Sequence, residues 1–237
     1  MFGACKDKTP NVTAQDIVDK TIFNACQGNC EHATIDFVFR DRKYISKRNN
    51  GSYSLERLTQ DSTGLIHDIV TNEGFVRYKD DSLVKVPDSM VTRYSNSVNS
   101  VHYFAQLPFG LNAPAVNKEL LGDAIIKGEP YYEIGVSFNE NGGGTDFEDE
   151  FVYWIHKDRF TVDYLAYSYA TDGGGIRFRE AYNERLVNGI RFVDYNNYKP
   201  KSLKIQLTQL DSLFQANELK LLSKIETEEV RVQLQKG

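Results

Sequence analysis

From Tyr131 to Tyr198 apolar and polar side chains alternate with a period of two, the spacing that a pleated strand imposes. Tyr132, Ile134, Val136 and Phe138 share one face of a first predicted strand, and Phe151, Tyr153 and Ile155 oppose Val152, Trp154 and His156 on a second. Val162, Tyr164 and Ala166 oppose Leu165, Tyr167 and Tyr169 on a third, and Ile176, Phe178 and Tyr182, then Ile190 and Phe192, continue the period. The connections Asn141-Gly142-Gly143-Gly144, Lys157-Asp158, Asp172-Gly173-Gly174-Gly175 and Asn188-Gly189 supply residues that tolerate positive φ. The pattern predicts five hairpin-linked antiparallel strands. A sheet this wide must curl, and something must cover its concave face.

Upstream, Thr13 with Asp16 three residues on marks a helix start, followed by an apolar stripe through Ile17, Val18, Ile22 and Ala25 that ends near Gly28. Ile35, Phe37 and Phe39 then alternate with Asp36, Val38 and Arg40, and further short strands follow at Tyr44–Lys47, Tyr53–Leu55, Leu65–Ile69, Phe75–Tyr78 and Leu83–Val86. Pro87-Asp88-Ser89 interrupts this pattern. Met90, Val91, Tyr94, Val98, Val101 and Phe104 recur at helical intervals as far as Leu107-Pro108, although serine and asparagine fill the gaps, so tertiary contacts must hold this helix. A second short helix is expected over Ala115–Leu121. A C-terminal helix is expected from Thr208 through Leu210, Leu213 and Phe214 to Leu221. The charged segment after Glu226 shows no obvious core and is expected to fray. These features divide the chain into a tether over residues 1–12, one domain over 13–225 and a charged tail over 226–237.

Composition narrows the chemistry. Tyr and Phe number 14 each against two Met, which suits strands. A net charge of -5 with no cluster of Lys or Arg argues against a nucleic-acid partner. No run approaches the roughly 18 apolar residues that a membrane-spanning helix requires.

Cys5 follows Phe2-Gly3-Ala4 and precedes a polar run, which looks like the lipobox of a bacterial lipoprotein, against a cysteine there by chance. That reading predicts acylation of Cys5 and attachment to a membrane. Cys26 and Cys30 are expected to form a local disulfide in an oxidising compartment, with free thiols, or metal binding together with His32, as the alternatives.

His67, His102 and His156 fall on separate elements without a ligand spacing, so no metal or cofactor is expected. Asp146, Glu148, Asp149 and Glu150 follow three glycines but lack the register of a calcium loop, and read as a solvated hairpin. No nucleophile elbow is present. Arg177, Arg179 and Glu180 with Asp194 form either a charged cluster on the open side of the sheet or ordinary cross-strand ion pairs.

The order of elements, with the strand segments Ile126–Tyr132, Val152-Tyr153-Trp154-Ile155 and Asn188–Phe192, resembles the LolA-like lipoprotein-carrier fold. More narrowly, the segments Asp88-Ser89-Met90, Tyr94–Val101, Leu107–Asn112 and Gly173–Glu180 resemble a family of uncharacterised bacterial envelope lipoproteins, over most of the chain from about Ile35 onward. The resemblance implies an α+β fold in which a curled antiparallel half-barrel sheet is covered by helices, with a gap that holds acyl chains, in a lipoprotein facing the periplasm or the cell surface. It brings no established activity. Ile35, Phe37, Val98, Val101, Phe104, Ile134, Val136, Phe138 and Trp154 are the residues expected around such an interior, as ligand contacts or as plain core. The leading expectation is non-catalytic binding of a lipid or acyl chain. The alternatives are an enzyme acting on a small polar substrate in the same cleft, marked by carboxylates of perturbed pKa, and a partner-binding lipoprotein with a filled core.

Overall fold

A computed structural model describes residues 12–141 and 147–235. Helix α1 (Ala14–Cys26) starts at a capping box: Asp16 N–H donates to Thr13 Oγ1 at 3.1 Å, and Thr13 N–H donates to the Asp16 carboxylate at 3.0 Å. Its stripe of Ile17, Val18, Thr21 and Ala25 is buried, and Gln27 ends it in the left-handed region. Cys26 and Cys30 are joined in a disulfide with their Cα atoms 5.6 Å apart.

The strands form two antiparallel seven-stranded sheets. The first sheet contains β1 (Ala33–Phe39), β2 (Arg42–Asn49), β3 (Ser52–Asp61), β4 (Gly64–Thr71), β5 (Gly74–Lys79) and β6 (Ser82–Val84) as a meander, with β14 (Glu228–Leu234) beside β1. The second contains β7 (Val116–Ile126), β8 (Glu129–Phe138), β9 (Glu150–His156), β10 (Val162–Tyr169), β11 (Gly175–Val187) and β12 (Ile190–Lys199), with β13 (Lys220–Ile225) on the β12 edge. Two-residue turns with both residues at positive φ, such as Arg40-Asp41, Asn50-Gly51 and Asn188-Gly189, set the hairpin registers. Only Glu226 and Thr227 separate β13 from β14, so one C-terminal segment lies on the edges of both sheets.

Three expectations are corrected here. The short helix expected at Ala115–Leu121 is the start of strand β7, an edge strand in which the adjacent Leu120-Leu121 and Ile125-Ile126 break the apolar alternation of the sequence. The C-terminal helix α3 (Leu210–Gln215) stops well before Leu221, which lies in β13. The segment expected to fray is β14, where Val232 is buried against β1 and the polar Arg231 and Gln233 beside it lie at the surface.

Helix α2 (Asp88–Ala105) lies between the sheets. Val98 packs on Leu55 and Val70, and His102 meets the rings of Phe37 and Tyr44 edge-on at 5.7 and 5.5 Å. On the other side, the Phe104 ring is 5.2 Å from Tyr167 of β10. The second sheet is buried on both faces. Ile134, Tyr153, Ile155 and Leu165 pack toward α1 and the Leu107–Leu111 loop, while Trp154, Tyr164 and Phe178 pack beneath Leu210 and Phe214 of α3. That is why every residue from Phe151 to His156 is buried, where a one-sided sheet would bury every second one.

Candidate ligand-binding cleft

Between α2 and the inner face of the second sheet lies a cleft of about 930 Å³. Its floor crosses six adjacent strands, from Phe138 of β8 and Phe151 of β9 through Tyr167, Arg179 and Tyr195 to Ile225 of β13. These residues share a face because antiparallel register sets Phe151 opposite Tyr167, and Ala181 opposite Tyr195. The roof is the face of α2 that carries Thr92, Asn96, Ser100, Val101 and Phe104. Small and amide side chains at those positions leave the space open.

Deeper in, the Tyr103 and Tyr153 hydroxyls hydrogen-bond to one another at 2.6 Å. Burial holds both phenols well above their usual pKa, and burial likewise raises Tyr195 to about 12. All three stay neutral across the physiological range. Phe104, Phe151 and Tyr167 form a mutually contacting aromatic group with ring centroids 5.2 to 6.4 Å apart. The cleft is therefore an apolar, aromatic space edged by hydroxyl and amide groups from α2.

Among the described residues three charged ones, Arg93, Asp149 and Arg179, also line the cleft, and of the two arginines Arg179 is the buried one. It is 7 % exposed, its Nη2 donates to the Tyr167 hydroxyl at 2.8 Å, and its guanidinium carbon sits 3.8 Å from the Phe104 ring centroid. A cation over an aromatic face gains about 2 kcal/mol when desolvated, which offsets only part of the burial cost.

The sequence-derived site residues separate in the structure. Val101, Phe104 and Phe138 line the cleft. Ile134 and Val136 are fully packed beneath it with α1, Val98 is wedged against the first sheet, and Ile35 and Phe37 belong to the cluster where β1, β14 and β12 meet. Trp154 is on the opposite face, at 5.6 Å from Phe178, because even-numbered positions of β9 point away from α2. Tyr103, Tyr167, Tyr195 and Arg179 were not singled out as ligand contacts, and the odd-numbered period of β9 continued into β10 is the signal that places Tyr167 there.

The charged cluster of Arg177, Arg179, Glu180 and Asp194 does not assemble. Glu180 turns outward to Lys127 at 2.7 Å, and Asp194 is held by Arg185 at 2.9 Å. His67 bonds Glu56, and His156 bonds Glu129, on separate strands. Among the described residues no group of three or more His, Cys, Asp and Glu is placed to hold a metal. Asp149 lines the cleft, whereas Cys5 and Asp146 lie outside the described residues.

A family model described as a family of unknown function, DUF6503, matches residues 12–229. The chain belongs to DUF6503. No curated protein sequence matches this DUF6503 chain. Its structure is similar to that of a LolA superfamily protein from Nitrosomonas europaea, with a TM-score of 0.51 and 13% identity over 95% of this chain and 94% of the other. That likeness establishes a LolA-like α+β fold. Two further solved structures align over most of their length. A putative outer membrane lipoprotein-sorting protein domain from Vibrio parahaemolyticus has a TM-score of 0.48 and 8% identity, covering 91% of each chain. A DUF1329 family protein from Desulfovibrio piger has a TM-score of 0.46 and 12% identity, covering 92% of each chain.

Proposed function

We propose that this DUF6503 protein binds a hydrophobic molecule, a lipid or lipoprotein acyl chain, in the cleft under α2, without catalysing a reaction on it. The observation that carries the reading is the cleft itself: at about 930 Å³ it lies near the top of the range of about 300–1,000 Å³ in which ligand sites fall. Six strands contribute to its floor, so it is built by the sheet as a whole. In this reading the two sheets, edged by one C-terminal segment and holding α2 between them, act as a single bent surface of the carrier type. Each methylene of a chain buried there contributes about 0.8 kcal/mol.

The carboxyl that would best suit acid–base chemistry is elsewhere. Glu133 is raised to about 7 by burial and by Asp211, but it lies on the outer face of β8, opposite Trp154 and away from the cleft. Among the described residues no helix is long and apolar enough to cross a membrane. The proposal assigns attachment to an acylated Cys5, which places the protein in the bacterial envelope, facing the periplasm or the cell surface.

A fluorescent fatty-acid probe tests this. The wild type should bind it saturably, and Ser100→Trp, which fills the cleft from a surface position of α2, should weaken binding at least about tenfold while leaving the circular dichroism spectrum unchanged. Equal binding by the two proteins would place the probe elsewhere and remove the basis of the reading.

A further inference from the structure

Among the described residues three arginines are buried: Arg57, Arg179 and Arg191. Arg57 is paired with Asp68 at 2.7 Å, and Arg191 with Glu184 at 2.7 Å. Arg179 has no carboxylate partner among the described residues; its one hydrogen bond goes to the Tyr167 hydroxyl, and its Nε and Nη1 are buried without an acceptor. A buried guanidinium left in this state is costly, and proteins otherwise pair it.

The surroundings do not supply the missing charge. The neighbouring Glu180 is turned to the outer face by strand alternation and is engaged by Lys127, Asn196 and Tyr198. Asp194 is engaged by Arg185, Asn183 and Thr227. Among the described lining residues the cleft contains one carboxylate, Asp149, against Arg93 and Arg179. What faces Arg179 is apolar or aromatic: Phe104 at 3.8 Å, Tyr167 at 5.1 Å and Tyr195 at 5.9 Å from the guanidinium carbon.

We infer that Arg179 is the anchor for an anionic oxygen group, a carboxylate or phosphate, at the head of the chain that the cleft binds. The cargo is then an anionic amphiphile, with its hydrocarbon against Phe138, Phe151 and Val101 and its charge on the Nε and Nη1 donors. This rests on the hydrophobic-cargo reading above and specifies its ligand class. A guanidinium is the side chain best matched to such groups, since its planar array of donors meets two anionic oxygens at once. Phe104 covers the guanidinium face. The ring stacks on the face alone, so the Nε and Nη1 donors, which lie in the guanidinium plane, are left without an acceptor, and the Tyr167 hydroxyl keeps the guanidinium oriented.

Oleate, oleoyl lysophosphatidate and oleyl alcohol, which share one chain, test this by isothermal titration below their micelle concentrations. The wild type should bind at least one of the two anions at least about tenfold more tightly than the alcohol, and the preferred anion distinguishes carboxylate from phosphate. Arg179→Gln should abolish that margin, the anions losing at least about tenfold more affinity than the alcohol, and Arg179→Lys should keep part of it. Equal affinities of wild type for all three would overturn the anchor and leave hydrophobic binding standing, as would an equal loss for all three in Arg179→Gln. No binding of any of the three would overturn both. Should Arg179→Gln fail to fold, the wild-type comparison and Arg179→Lys still decide.

Discussion

His102 illustrates how one side chain couples the roof helix to the first sheet. Its Nε2–H donates to the Glu56 carbonyl at 3.0 Å, and its Nδ1 accepts from Gln106 at 3.2 Å, so the buried ring is neutral. Burial lowers its pKa to about 4. The unfolded chain therefore binds a proton near pH 6.5 that the folded protein refuses until about pH 4, and the stabilisation, complete above pH 6.5, is lost as pH falls through that window. Replacing His102 with Gln should make the stability difference between wild type and variant nearly independent of pH below 4. From pH 4 to 7 the difference should grow in favour of the wild type by on the order of 3 kcal/mol in urea unfolding. A difference constant with pH would contradict the neutral buried imidazole. The comparison must be made against the variant, because Glu133, raised to about 7, titrates in the opposite sense over the same range. At this scale the sequence was legible where periodicity speaks: Val101 and Phe104 share a face of α2, as their helical spacing predicts, and with Phe138 they line the cleft. Arg179 was expected in a charged cluster with Glu180 and Asp194 or in a cross-strand ion pair; its burial without a carboxylate was not legible, because a charged strand residue reads as solvent-facing until the strand is known to be buried on both faces.

Among the elements, α2 matters most, and its residues are poor helix formers, so its place depends on what clamps it. Asp68, 1 % exposed, receives Arg57 at 2.7 Å and Arg77 at 2.6 Å; Arg57 also donates to Ser97 of α2 at 2.6 Å, and Arg77 lies 3.8 Å from the centroid of the Tyr94 ring. Asp68→Ala leaves two guanidinium groups without their shared acceptor. It should destabilise the protein by about 3–5 kcal/mol in urea unfolding, and the fatty-acid probe should bind more weakly as α2 loosens. A loss below about 1 kcal/mol would show that the clamp is solvated. Strand β14 gives a second test. Val232 is buried beside Ile35, Phe37 and Phe192, and Asn188 donates to the Val232 carbonyl at 2.7 Å. Truncation after Ile225 should lower the thermal midpoint and promote aggregation through the uncovered β1 edge; an unchanged midpoint would return this segment to the status of a loose tail. The five strands of the aromatic meander and α2 were legible from the sequence because each has a sustained period. β7 and β14 were not: the adjacent pairs Leu120-Leu121 and Ile125-Ile126 break the apolar alternation of β7, and β14 offers only Val230, Val232 and Leu234 in a short, mostly exposed segment.

For the whole molecule, the decisive feature is the division of an aromatic-rich sheet between two buried faces. One face packs under α3 and holds Trp154, while the other faces α1 and α2 and borders a cleft of about 930 Å³. Sequence alone identifies the aromatic residues and their alternation. It does not say which face retains open space, because that depends on where α2 and α3 dock across distances that no local period encodes. The LolA-like order of elements was legible, and the position of the cleft within it was not. The central claim is that this space holds an amphiphile, and native mass spectrometry of protein purified from its own host, followed by lipid extraction, tests it most directly. The account predicts an anionic lipid adduct on the wild type that is absent from Ser100→Trp and depleted in Arg179→Gln. Wild-type protein carrying no adduct, or the same adduct on all three proteins, would contradict it.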